Sequence, residues 1–117
     1  MRNGIDYTTE AEVVGSCLNG LELMGIEAWR NNTGALKDRA GKRYIRFGKP
    51  GSSDILGILK DGRFLAVECK RPVGGRITEL QQNFINMINE NGGVGLIVHI
   101  FDELYDGLKS KGALKNE

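Results

Sequence analysis

Two acidic side chains and a lysine stand out as groups that could do chemistry together. Asp54 lies at the start of one apolar segment, and Glu68 and Lys70 lie at the end of the next one. Side chains two residues apart on a strand project from the same face, so Glu68 and Lys70 are predicted to be neighbours. Carboxylate oxygens are preferred ligands of Mg²⁺, which usually shares its coordination sphere with water and phosphate. A lysine beside such an ion can position a phosphate or a water, and these groups are typical of metal-assisted phosphodiester hydrolysis.

The loop between the two apolar segments decides whether the two acids meet. A three-residue loop, 60–62, places Asp54 opposite Glu68, whereas a two-residue loop would send the acids to opposite faces. Gly62 favours the longer loop, because such loops end on a left-handed residue. Opposed residues lie roughly 5 Å apart at Cβ, and two carboxylates that close repel each other unless a cation or proton lies between them. The alternative is an exposed acid at position 54 and a surface ion pair between Glu68 and Lys70.

A third carboxylate is predicted from helix geometry. Thr9 and Glu12 match a capping box, so a helix should begin here. Glu10 precedes Val14 and Cys17 at helical spacing and should lie on the buried face, where a carboxylate needs a partner such as a divalent cation. The alternative is an acid placed in the first turn by the helix dipole.

Four further residues are candidates for the site or the core. Gln81 could close a second capping box with Thr78, or it could point toward the substrate or a metal-bound water. His99 lies in an apolar segment and is predicted to be a partnered core group, and Trp29 is also predicted to pack in the core. The Cys69 thiol should point away from the site, although its backbone carbonyl could still reach the metal.

Basic residues are concentrated in one segment, although the formal net charge of the chain is only +1. These residues are Lys37, Arg39, Lys42, Arg43, Arg46 and Lys49. Such a segment could neutralise several phosphates of a nucleic acid. A solvated loop with ordinary surface charge is the alternative.

Composition and periodicity predict the fold class. The 117 residues, 40% hydrophobic and 26% charged, are typical of one globular domain spanning 1–117. We find no apolar run of membrane-spanning length, no signal-peptide pattern and no disulfide framework, so we expect a cytoplasmic protein. The predicted class is α/β, a mixed β-sheet flanked by helices in the order αβββ(β)αβα. The predicted strands are 26–30, 42–47, 54–59, 63–70 and 94–100, with residues 31–41 as a polar loop.

Several of these features together resemble one nuclease superfamily. Glu10, Gly51-Ser52-Ser53-Asp54, Glu68-Cys69-Lys70 and Gln81 are similar in order and spacing to the PD-(D/E)xK nucleases. Within that superfamily, residues 29–34 also resemble the VRR-NUC family. Two departures are visible, since Ser53 stands where the superfamily usually has proline and residues 97–100 lack the Val-Arg-Arg signature.

The resemblance implies a restriction-endonuclease-like core, αβββαβα, and a set of roles. Glu10, Asp54, Glu68 and the Cys69 carbonyl would bind Mg²⁺ or Mn²⁺, Lys70 would help deprotonate the attacking water, and Gln81 would help place that water or the phosphate. Short phage and bacterial members resemble Holliday-junction resolvases and form homodimers. We therefore expect a structure-selective DNA endonuclease acting on four-way junctions, with Arg30 and the basic segment holding the DNA backbone. The main alternatives are a flap or general nuclease and a non-catalytic DNA-binding module with a relict site.

Overall fold

The computed structural model of the protein describes residue 6 and residues 8–114. This part of the chain has a mixed α/β fold with three helices and six strands. The elements in chain order are α1 (Glu10–Leu23), β1 (Glu27–Arg30), β2 (Gly34–Lys37), β3 (Tyr44–Phe47), β4 (Ile55–Ile58), β5 (Phe64–Cys69), α2 (Glu79–Glu90), β6 (Val94–Val98) and α3 (Phe101–Ser110).

The main sheet has the strand order β1-β4-β5-β6, in which β1, β4 and β5 are antiparallel and β6 runs parallel to β5. Parallel neighbours need a crossover connection, and α2 provides it. Helices α1 and α3 pack on one face of the sheet, and α2 packs on the other. Side chains of β5 alternate between these layers, so that Val67 and Cys69 join the α1 core while Ala66 packs under α2.

Both predicted capping boxes are present at the starts of α1 and α2. The Thr9 hydroxyl accepts from Glu12 N–H at 3.1 Å, and the Thr9 N–H donates to Glu12 Oε1 at 2.9 Å. Thr78 and Gln81 exchange the equivalent pair of hydrogen bonds. These contacts satisfy N–H groups that a helix start leaves without partners, which explains why the sequence predicted both starts correctly.

The prediction of a polar loop over 31–41 is wrong in part, because the segment contains β2. This strand pairs antiparallel with β3, from Gly34 opposite Phe47 to Lys37 opposite Tyr44. The two strands form a separate hairpin, here called the basic arm (residues 34–47). The residues of both strands whose burial is described are exposed. A strand with no buried face does not need alternating apolar and polar residues, so β2 lacks the pattern by which a half-buried strand is predicted.

The predicted core positions of Trp29 and His99 are also wrong. Ala28 turns toward the α1 core, and the alternation of β1 then sends Trp29 to the opposite face, where it is 44% exposed. Strand β6 ends at Val98, before the predicted end at residue 100, so His99 lies outside it. The His99 ring is partly exposed, and its Nδ1 lies 3.0 Å from Glu103 Oε1.

Candidate metal centre

The β4–β5 hairpin has the register that the sequence predicted. Leu59 N–H donates to the Arg63 carbonyl at 2.9 Å, which closes a three-residue loop over 60–62. Gly62 has φ +92°, a left-handed conformation that glycine adopts without steric cost. Ile55 pairs with Val67, and the same register carried one residue further places Asp54 opposite Glu68.

Three carboxylates converge where β4 begins and β5 ends. Glu10, Asp54 and Glu68 each offer an oxygen, and these oxygens all lie within 4.8 Å of one another. Glu10 is the first residue of α1 and is partly buried, while Glu12 is the acid used by the capping box. The prediction that Glu10 joins the other two acids is therefore confirmed as a matter of geometry.

Glu68 is the most strongly perturbed group of this cluster. Its side chain is 1% exposed, and neither carboxylate oxygen has a hydrogen-bond partner in the described part of the chain. Lys70 Nζ lies 3.4 Å from Glu68 Oε2 and balances only part of this cost. Burial, and next the neighbouring Asp54, raise the pKa of Glu68 to about 8, against the opposing effect of Lys70.

A divalent cation would relieve these unfavourable contacts. Buried charged groups are stabilised by pairing or by metal coordination, and hard cations such as Mg²⁺ take oxygen ligands from carboxylates. The Glu68 oxygens, which have no hydrogen-bond partner among the described residues, and the convergence of Glu10 and Asp54 supply such a donor set. The residues present therefore fit a Mg²⁺ or Mn²⁺ ion.

Backbone groups hold Asp54 in place. Its Oδ2 accepts from Cys69 N–H at 2.8 Å, which ties the carboxylate to the end of β5. Asn31 donates its N–H to the Asp54 carbonyl at 2.7 Å and its side-chain amide to Ser52 Oγ and the Ser53 carbonyl. Sequence reasoning gave Asn31 no role of its own, because its contacts lie more than twenty residues away along the chain.

Lys70 and Cys69 point to opposite sides of the sheet, as predicted. Lys70 is 6% exposed and lies on the side of Glu68. The Cys69 thiol is fully buried in the α1 core, where the Cys17 side chain and burial raise its pKa. A thiol in that position is inert, so the chemistry of this segment rests on Glu68 and Lys70.

Gln81 takes the first of its two predicted positions. Its Oε1 accepts from Thr78 N–H at 3.0 Å, which closes the capping box of α2. This hydrogen bond uses the side-chain oxygen, and the amide nitrogen is the group that would contact a substrate or water.

The predicted DNA-binding residues lie on or beside the basic arm, and all of them are exposed. They are Arg30 at the end of β1, Lys37, Arg39, Lys42, Arg43 and Arg46 within the arm, and Lys49 just after it. Arg43 forms a weak ion pair with Asp38 at 3.7 Å. Asn31 follows Arg30 and precedes the arm in the chain, and its N–H bond to the Asp54 carbonyl links this region to the carboxylate cluster.

Comparison of the chain with protein-family models, with curated proteins and with solved structures finds no match in any of the three. Among the described residues, no helix combines the length and apolar character needed to cross a membrane.

Proposed function

We propose that this protein is a metal-dependent DNA endonuclease with a restriction-endonuclease-like core. The observation that supports the proposal is the meeting of Glu10, Asp54 and Glu68 within 4.8 Å, with the Lys70 ammonium 3.4 Å from Glu68. Buried acids without partners are costly, and an arrangement that concentrates them is typical of functional sites.

Each residue of the centre has a role in this proposal. Glu10, Asp54, Glu68 and the Cys69 carbonyl would hold Mg²⁺ or Mn²⁺, which when bound would supply Lewis-acid polarisation of the phosphate and would lower the pKa of a water. Lys70 presents a positive charge beside Glu68, where it orients the attacking water and favours the loss of its proton to solvent by stabilising the hydroxide that forms. The Gln81 amide nitrogen helps place that water or the phosphate. In-line attack leaves a 5′-phosphate and a 3′-hydroxyl.

The exposed basic residues determine how DNA is held. Arg30, the basic arm and Lys49 contact the sugar–phosphate backbone, and such contacts position DNA without reading its sequence. We therefore propose selectivity for DNA structure, with four-way junctions as the preferred substrate. A homodimer would present two centres to the two equivalent strands of such a junction.

Cleavage assays test this proposal. Labelled four-way junction, flap, single-stranded and linear duplex DNA are incubated with Mg²⁺, Mn²⁺ or EDTA. We expect metal-dependent cutting, its loss in Glu68→Gln and Lys70→Ala, and wild-type activity in the control Lys60→Ala, which changes an exposed loop lysine.

Each outcome bears on a different part of the proposal. Cutting in EDTA, or full activity of Glu68→Gln, would refute the metal mechanism. Equal cutting of all four substrates would refute the junction preference alone. Salt-sensitive DNA binding without any metal-dependent cutting would indicate the alternative, a binding module with a relict site.

A further inference from the structure

A cleft of about 380 Å³ adjoins the metal centre on the side of Glu10. One wall is the approach to α1, including Thr8, Thr9 and Glu10 itself, and the other is the loop between β5 and α2. That loop contributes Arg71 and Arg76 to the lining. The cleft therefore joins two cationic side chains to one of the three metal-binding acids.

The two guanidinium groups are available for a ligand. Both residues are exposed, and within the described part of the chain neither forms an ion pair. Arg71 donates one long hydrogen bond, 3.5 Å, to the Gly74 carbonyl. A guanidinium has five N–H donors, so most of its capacity remains. Asp6 also lines the cleft, but its carboxylate accepts from Thr8 N–H at 2.9 Å.

Close packing holds this loop against the catalytic lysine. A Cβ on Gly75 would lie 2.6 Å from the Arg71 carbonyl oxygen and 3.0 Å from Lys70 Cβ, so only glycine permits the loop to fold back this far. Lys70 is itself anchored, since its N–H donates to the Val98 carbonyl at 2.9 Å. The backbone that carries both arginines is thus positioned relative to the metal centre.

We infer that Arg71 and Arg76 bind a backbone phosphate of the DNA strand next to the phosphate that is cut. This inference rests on the proposed function. The guanidinium fork matches the geometry of a phosphate and binds it through charge-assisted hydrogen bonds. The basic arm is linked to the site through the bond from Asn31 to Asp54, and the cleft includes Glu10, so the two arginines would add a phosphate contact that is separate from those of the arm.

Binding measurements on the double variant Arg71→Gln/Arg76→Gln test the inference. Fluorescence anisotropy with labelled junction DNA is measured in Ca²⁺, another oxygen-liganded ion, over a range of salt concentrations. We expect affinity to fall at least about tenfold, and the slope of log K against log salt to decrease by about 1, because the contact to one phosphate is lost. The control is Arg63→Gln, which removes an arginine that forms an ion pair with Asp61 at the loop end of the β4–β5 hairpin.

A scan with neutral methylphosphonate linkages locates the contact. In the wild type, one linkage beside the cut position should weaken binding by a similar factor. The double variant should show no further loss at that position. Arg76→Lys serves as a second variant, because it retains the charge but loses the fork, and we expect it to keep the salt slope while losing part of the affinity.

The outcomes separate this inference from the proposed function. Wild-type affinity and salt slope in the folded double variant would overturn the phosphate cleft even if the protein cuts DNA. An equal methylphosphonate loss in wild type and variant would also overturn it. A wild type that cuts no DNA, but whose binding depends on both arginines, would refute the hydrolysis and support the cleft. A wild type that binds no DNA would overturn both.

Discussion

Replacing Glu68 by glutamine removes the ionisable group with the least favourable surroundings in the carboxylate cluster of Glu10, Asp54 and Glu68. The glutamine keeps the shape of the side chain but cannot carry a negative charge. The pKa of Glu68 is about 8 in the folded protein, compared with 4.5 for an ordinary glutamate. Between these values the folded state binds more protons than the unfolded state, so the free energy of unfolding must fall as pH rises from about 4.5 to about 8.

The size of this effect follows from the same pKa difference. One pKa unit corresponds to about 1.4 kcal/mol, so the metal-free protein should lose on the order of 3–5 kcal/mol across this pH range. Glu68→Gln should lack this loss. Saturating Mn²⁺ should abolish it in the wild type, because the ion binds the ionised carboxylate and stabilises the folded state by mass action.

Urea unfolding followed by circular dichroism between pH 5 and 9, in EDTA and in Mn²⁺, measures the difference between wild type and variant. Other groups titrate in this range, so the difference between the two proteins is the quantity that matters. Glu22→Gln, a change of an exposed acid on α1, is the control and should follow the wild type. A difference between wild type and Glu68→Gln that does not vary with pH would refute the reasoning that burial and Asp54 raise the pKa of this carboxylate more than Lys70 lowers it.

Three further predictions concern individual positions. Glu10→Gln should weaken Mn²⁺ binding, measured by calorimetry, at least about tenfold, because a charged ligand is lost. Glu22→Gln on the same helix is the control and should bind Mn²⁺ like the wild type. Equal affinities of the two variants would exclude Glu10 from the centre. Gly75→Ala should destabilise the protein by about 1–3 kcal/mol and reduce cleavage, because the new Cβ would clash with backbone. The control is Gly15→Ala on α1, where an added Cβ would have no atom within 4 Å, and it should stabilise the protein by about 0.5–1 kcal/mol. A higher melting temperature for Gly75→Ala than for Gly15→Ala would contradict the close packing at Gly75. Ser53→Ala should leave the stability unchanged or raise it by up to about 1 kcal/mol, because the buried Ser53 hydroxyl has no hydrogen-bond partner among the described residues. A marked loss of stability would show that this hydroxyl forms a hydrogen bond.

Local rules account for the features of the site that the sequence predicted. The starts of α1 and α2 depend on hydrogen bonds between residues three apart, as with Thr9 and Glu12. The register of the β4–β5 hairpin depends on a three-residue loop ending in Gly62, and the shared face of Glu68 and Lys70 depends on the period of a strand. Each of these signals lies within a short stretch of chain, so each could be identified without the fold.

Other features depend on contacts between distant segments. Strand β2 exists because β3 pairs with it, and the outward position of Trp29 follows from the packing of Ala28 against α1. The adjacency of Arg76 to Glu10 requires α1 and the β5–α2 loop to meet.

The sequence by itself determined the helix starts, the hairpin register and the pairing of an acid with a lysine on one strand face, because these follow from short-range hydrogen bonding and strand periodicity. The tertiary structure decided between the two alternatives that the sequence left open for Glu10. It alone showed that Glu68 lies in the cluster without hydrogen-bond partners and that two arginines line the adjoining cleft. The physical reason is that burial and charge proximity are properties of the packed layers, and residues from four separate segments contribute to them.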